Sequence, residues 1–365
     1  QDPAAASGEV RVRWTEALAE AALLRADWGW LHRLLSNAPA ELLAAERWRY
    51  WQARAAGANG DTAAARRGYQ ALARERSYYG FMAADRASQP YRFAHQDTPV
   101  TPALRARVEA LPALQRAAEL RALERMTDAR REWEHAVRQL NTAEQMAAAE
   151  IAESWGWHDR AIFTLAKTDY WDDLVLRFPL RHRELVEAAA RDNGLEPAWI
   201  FAILRQESAF MADARSRAGA RGLMQLMPAT ARQVAKWLPD PPKPRNRDLH
   251  DPALNIRLGS RYLRALSERF GDHPALISAG YNAGPRRVSH WLPEDEVVPT
   301  DLWVERIPFH ETRGYVRRVL YYTAIYEERL GTPVTRLAAR LGRIGPQGPL
   351  EVAEQEAPGT ASTSG

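Results

Sequence analysis

The sequence predicts an all-α chain, in which a helical-repeat region is followed by a compact, mainly helical domain. Three observations carry this. Ala, Leu, Glu and Arg dominate the first 165 or so residues and β-branched residues are scarce, which favours helix over strand. Weak self-similarity recurs in the same region. Beyond Gly194, apolar positions return every three or four residues between breaks rich in Pro and Gly, as in amphipathic helices.

In the first region Ala65-Arg66-Arg67-Gly68-Tyr69 follows the turn-like Gly60-Asp61, and Ala129-Arg130-Arg131-Glu132-Trp133 follows Thr127-Asp128. A fainter copy runs Gly156-Trp157-His158-Asp159-Arg160-Ala161. The copies lie two steps and then one step of about 32 residues apart, close to the ~34 of helical-hairpin repeats. This predicts a superhelix of antiparallel helix pairs, each packing on its neighbours. Nine of the 13 Trp fall between Trp14 and Trp171, among Leu and Ala on helical stripes, and are assigned to the core. Ser88 to Pro102 holds Pro90, Pro99 and Pro102 and reads as a boundary or long surface loop.

A second change comes near Trp171 to Pro179, before a helix at Arg183 to Asn193. Further helices are expected at Pro197 to Ser208, Ala229 to Trp237, Pro252 to Phe270, Pro274 to Asn282 and Thr312 to Leu330. Proline suits the first turn of three of them, and Gly271 and Gly331 stop two. The last 25 residues lack apolar periodicity and read as a disordered tail.

Bulk properties exclude several classes of function. The chain has 365 residues, enough for two or three domains, with 46% hydrophobic and 26% charged residues. Its net charge is +4, dispersed as Arg rather than clustered, so no nucleic-acid-binding block stands out. Absence of cysteine removes disulfides, thiolate metal sites and Cys nucleophiles. No apolar run approaches the ~18 residues of a spanning helix. The N-terminus lacks the marks of a signal peptide. Asp248, His250 and Asp251 lack the oxygen-ligand pattern of a calcium loop, and neither metal nor cofactor is expected.

The residues with chemical promise cluster after Gly194. Ile200, Ile203 and Leu204 recur at helical spacing, and Glu207 falls on the same face, in the last turn of its helix. Burial and the helix dipole both disfavour a charged carboxylate there. That suits a general acid working near neutral pH. A Gly-rich loop follows, with Ser216, Gly219, Gly222 and Gln225. Two further clusters are Gly280-Tyr281-Asn282-Ala283-Gly284 and Glu311-Thr312-Arg313-Gly314-Tyr315. Singly, each has a structural explanation, as a helix end, turn, C-cap or i,i+4 pair.

Their joint order resembles the catalytic domain of the soluble lytic murein transglycosylases, a lysozyme-like fold shared with goose-type lysozymes. The signature Glu-Ser, Gly-Leu-Met-Gln, Tyr-Asn-Ala-Gly and Glu-Thr-Arg-x-Tyr is matched at every element between Arg205 and Tyr315. Asp251-Pro252 with Asn255-Ile256, Gly259 and Tyr262-Leu263 matches a further helix. Gly280 departs from the family's usual Ala, a change expected to touch packing rather than chemistry. Upstream, Tyr50-Trp51-x-Ala53-Arg54 and Tyr78-Tyr79-Gly80 resemble the end of the family's superhelical domain.

The resemblance implies an α-superhelical region at 1–100, a helical linker domain at 101–168, a lysozyme-like catalytic domain at 169–335 and a mostly disordered tail at 336–365. It implies cleavage of the β-1,4 bond between N-acetylmuramic acid and N-acetylglucosamine, with 1,6-anhydro ends formed and no water used. Glu207 would be the single acid/base. Ser216, Gln225, Met227, Tyr281, Asn282, Glu311 and Tyr315 would contact substrate, and Tyr281 would hydrogen-bond Glu207. The implied partners are peptidoglycan glycan strands and other cell-wall enzymes, in the periplasm. The alternatives are a goose-lysozyme-type hydrolase and a noncatalytic wall-binding scaffold.

Overall fold

The computed structural model describes residues 8–350. The chain folds as two compact units. One gathers the described parts of Gln1–Arg92, Leu266–Leu320 and Thr335–Gly365; the other comprises Phe93–Ala265 and Tyr321–Val334. These units cut across the segments expected from the sequence.

In the first unit, helices pair as hairpins. Glu46–Ala58 packs on Thr62–Leu72, whose N-cap Asp61 accepts from the Ala64 amide. Ser77 caps Tyr78–Arg86 in the same way through Gly80. Gly80 is required by close approach, since a Cβ there would run into the Glu75 carbonyl. Trp48, Tyr50, Trp51 and Phe81 fill the core.

Two carboxylates are sunk into this aromatic core. Asp301 and Glu305 lie one turn apart on the helix Thr300–Arg306 and are buried. Asp301 Oδ2 accepts from Tyr50 Oη (2.7 Å), Arg54 Nε (3.0 Å) and an Arg86 terminal nitrogen (3.0 Å). Glu305 accepts from Tyr79 Oη (2.6 Å), Trp51 Nε1 (3.3 Å), Arg47 Nε (3.0 Å) and Arg317 (3.1 Å). Charges this deep are tolerable only when paired and hydrogen-bonded. The upstream motif Tyr50-Trp51-x-Ala53-Arg54 and Tyr79 thus have a structural task. They receive the acids of a helix more than 200 residues later.

The expected disordered tail is corrected over residues 337–350. A helix spans Leu337–Leu341, and strands Arg343–Gly345 and Gly348–Leu350 form an antiparallel sheet with Val298–Pro299. Leu337, Leu341 and Ile344 are buried and anchor it. These anchors come from elements too short to show a period. The rest of the expected tail, 351–365, lies outside the described residues.

In the second unit, hairpins Pro112–Ala122 with Met126–Val137 and Thr142–Ser154 with His158–Leu165 enclose Trp133, Trp157, Ala148 and Ile151. Thr127-Asp128 lies inside the first turn of its helix rather than before it. The Trp assignment also needs correction at the surface. Trp14 and Trp171 are exposed, and Trp171 carries the Arg177 guanidinium 4.1 Å from its ring centroid. The helix Pro197–Ser208 is buried on almost every side, with Phe201 stacked on Tyr326 at 5.2 Å.

Candidate functional site

Glu207 stands in the last turn of Pro197–Ser208, preceded by buried Ile203, Leu204 and Arg205. Arg205 Nε donates to the Arg177 carbonyl (2.7 Å), and its guanidinium lies over Phe178 and Tyr322. The helix end is therefore fixed from below. Glu207 is half-buried rather than fully buried as the helical spacing predicts. An abrupt turn follows immediately. Ala209 and Phe210 both take positive φ (49° and 68°), and two consecutive non-Gly residues there store backbone strain.

The following loop is tied to itself. Ser216 accepts the Ala220 amide on Oγ (3.0 Å), while its own amide donates to the Ala220 carbonyl (3.0 Å). This bond uses the hydroxyl as acceptor. Gln225, at φ 47°, donates from Nε2 to the carbonyls of Gly222 (2.8 Å) and Ala214 (3.3 Å). Its amide nitrogen braces the loop. Met227 is an exposed apolar side chain at the start of Pro228–Ala235.

One buried residue holds this loop from beneath. Asn255 on Pro252–Phe270 accepts the Met224 amide on Oδ1 (2.7 Å) and donates to the carbonyls of Leu249 (2.8 Å) and Arg221 (3.1 Å). Gly222, at φ 77°, sits directly against the Leu249 carbonyl and the Asn255 amide, where a Cβ would not fit. Asn255→Ala is expected to cost about 1–3 kcal/mol, because it leaves buried backbone groups unpaired. A urea unfolding midpoint compared with wild type checks this.

Tyr281, Asn282, Glu311 and Tyr315 belong to the other unit. Tyr281 and Asn282 end the helix Pro274–Ala283, which Gly284 (φ 91°) terminates. A Cβ on Gly280 would lie 3.0 Å from the Phe270 ring, so glycine at this position makes room for that side chain. Buried Thr312 donates to Asn282 Oδ1 (2.7 Å), linking the two motifs directly. Glu311 is exposed and Tyr315 buried on the same helix. Arg313 donates to Glu20 Oε1 (3.0 Å) and the Glu305 carbonyl (3.2 Å).

Sequence reasoning passed over Asp301, Glu305, Arg130 and Asp213. The first two carried a signal: acids four residues apart within the apolar stretch Asp301-Leu302-Trp303-Val304-Glu305. Among the described residues, one group of metal-capable side chains comes together, namely His95, Asp97 and Asp173. Asp173 there caps a helix through Leu176 N and accepts from Thr98 N and Oγ1. Among the described residues, no helix is long and apolar enough to cross a membrane.

The family model for the soluble lytic murein transglycosylase L domain matches residues 107–174. The transglycosylase SLT domain matches 184–304, and the soluble lytic transglycosylase helical domain 306–334. The soluble lytic murein transglycosylase of Salmonella typhimurium is 35% identical over 303 residues, covering 83% of this chain and 46% of its own length. Its Escherichia coli counterpart is 34% identical over 311 residues, covering 85% and 47%. Among solved structures, an inactive mutant of the lytic transglycosylase Slt from Pseudomonas aeruginosa matches with TM-score 0.85 and 41% identity, over 90% of this chain and 54% of that one. The 70 kDa soluble lytic transglycosylase from Escherichia coli matches with TM-score 0.82 and 32% identity, over 91% and 54%. The chain thus spans about half the length of these relatives. By its motifs, its helical architecture and the three family models it matches, it belongs to the soluble lytic murein transglycosylase family.

Proposed function

We propose that this chain cleaves the β-1,4 bond between N-acetylmuramic acid and N-acetylglucosamine in peptidoglycan, leaving 1,6-anhydro-N-acetylmuramic acid ends. The observation that carries the reading is Glu207. It is a half-buried carboxylate at the end of an otherwise buried helix, immediately before a strained, self-braced loop. As an acid, Glu207 protonates the glycosidic oxygen. As a base, it then takes the proton from the sugar's own C6 hydroxyl, which closes the anhydro ring. An attacker within the same molecule has a high effective concentration, so no second carboxylate is needed to hold water.

Ser216 and Gln225 serve as hydrogen-bonding contacts to the glycan, through the hydroxyl proton and the carboxamide oxygen. Met227 offers an apolar contact. Tyr281, Asn282, Glu311 and Tyr315 take substrate-contacting roles on the strength of the family motifs that contain them. The segments 1–100, 101–168 and 169–335 act as superhelical, linker and catalytic domains. The setting is the periplasm, with glycan strands and other cell-wall enzymes as partners.

Mass spectrometry of products from purified sacculi tests the reading. Wild type is expected to release muropeptides with anhydro ends, each lacking one water relative to a reducing end. Reducing ends alone would make the protein a hydrolase, and no release at all would make it a wall-binding scaffold.

A further inference from the structure

We propose that Arg130, on a helix of the region matched by the L-domain model, is a positioning residue that sets the glycan-contacting loop after Glu207. The inference rests on the function proposed above. The helix Met126–Val137 buries Ala129, Trp133, Ala136 and Val137, which leaves Arg130 at the edge of its packed face. The Arg130 guanidinium grips Asp213 as a two-pronged fork. One terminal nitrogen donates to Oδ2 at 2.8 Å and the other to Oδ1 at 2.6 Å. Such a fork fixes the direction of the carboxylate as well as its distance.

Asp213 lies between Glu207 and Ser216 in the chain, so the grip falls on the backbone that places both. The neighbouring residue is held from another direction. The Ala212 carbonyl oxygen lies 3.2 Å from His250 Nδ1, and His250 Nε2 lies 3.2 Å from an Arg221 terminal nitrogen. The loop is thus pinned at residues 212–213 and again at 221, on either side of Ser216. Arg130 has a second acid behind it. Its Nε, which has no hydrogen-bond partner, stands 4.0 Å from the buried Asp159, itself bonded to Arg160 Nε at 3.0 Å. Burial pushes the Asp213 carboxyl up, but the bond to Arg130 and its charge outweigh this and hold it below the usual carboxylate range.

Stability does not account for this pair. Asp213 is 46% exposed at its side chain, and ion pairs so wetted contribute little to folding. Orientation is where a forked pair has leverage, since misplacing a contact by about 1 Å costs up to about 10²-fold in rate.

The test compares Arg130→Met, Asp213→Asn and the double variant with wild type on solubilised glycan strands. It measures kcat and KM by anhydro-muropeptide release, and follows amide exchange of residues 211–225. Each single variant is expected to lose about tenfold in kcat/KM, chiefly through KM. Tm should be unchanged in Asp213→Asn, which leaves Arg130 beside Asp159, and exchange should be faster in the loop but not in Pro197–Ser208. The double variant should be no worse than either single one, because both remove the same contact. Variants with wild-type KM, or losses that add in the double variant, overturn the inference while the function stands. A wild type without cleavage overturns both.

Discussion

Glu207→Gln is expected to lose at least about 10³-fold in anhydro-muropeptide release from sacculi. General acid–base groups contribute about 10²–10⁴-fold each, and in the proposed mechanism one carboxylate protonates the leaving oxygen and then accepts the C6 proton. The amide can do neither, yet it matches the carboxylate in shape. Folding should therefore be untouched. Glu207 is half-buried and follows a helix whose packing is supplied by Ile200, Phe201, Ile203 and Leu204, so the swap opens no cavity. The comparison needs equal Tm for the two proteins and initial rates of product formation by mass. Wall degradation at the wild-type rate by Glu207→Gln would remove the acid/base assignment, and the proposed activity with it.

How much of this is legible in the sequence depends on the range of the interaction. The helices Arg183–Asn193, Pro197–Ser208 and Pro252–Phe270 begin and end where expected, because a first-turn proline or a left-handed residue past the end is a local signal. His310–Leu330 starts two residues before the expected Thr312, where no cap residue marks the boundary. Spacing also places Glu207 at a helix end. The turn that follows it is not legible, since Ala209 and Phe210 take positive φ and have no local preference for such angles. The structure of 337–350 escapes because strands of three residues have no period to read. The pairings of Asp301, Glu305 and Asp213 escape for a different reason. Apart from Arg317, 12 residues from Glu305, the side chains that pair with them lie 83 to 258 residues away in the chain, beyond any window of periodicity.

Those long-range pairings lead to the largest stability effect expected here, Asp301→Asn. The substitution keeps the side chain's shape and removes its charge, so Arg54 and Arg86 lose the carboxylate they share. Breaking one partner out of a buried pair costs about 3–5 kcal/mol, because the remaining charge stays desolvated. A fall in Tm of several degrees is expected, with faster amide exchange in Glu46–Ala58 and Tyr78–Arg86, the helices that carry the two arginines. The pH dependence supplies a second, independent reading. Burial pushes the Asp301 carboxyl up, but Arg54, Arg86 and the Tyr50 hydroxyl outweigh it and hold it below the usual carboxylate range. A carboxyl lowered on folding contributes stability that is fully present above its unfolded value of about 4. That contribution is lost as pH falls through the lowered folded value. Wild type should therefore lose stability on acidification below about pH 4, and Asp301→Asn should lack that part of the loss. The gap between the two proteins should narrow as the pH falls. Equal melting at neutral pH, or a gap that stays constant into acid, would mean that this buried acid does not hold the N-terminal helices to the helix Thr300–Arg306.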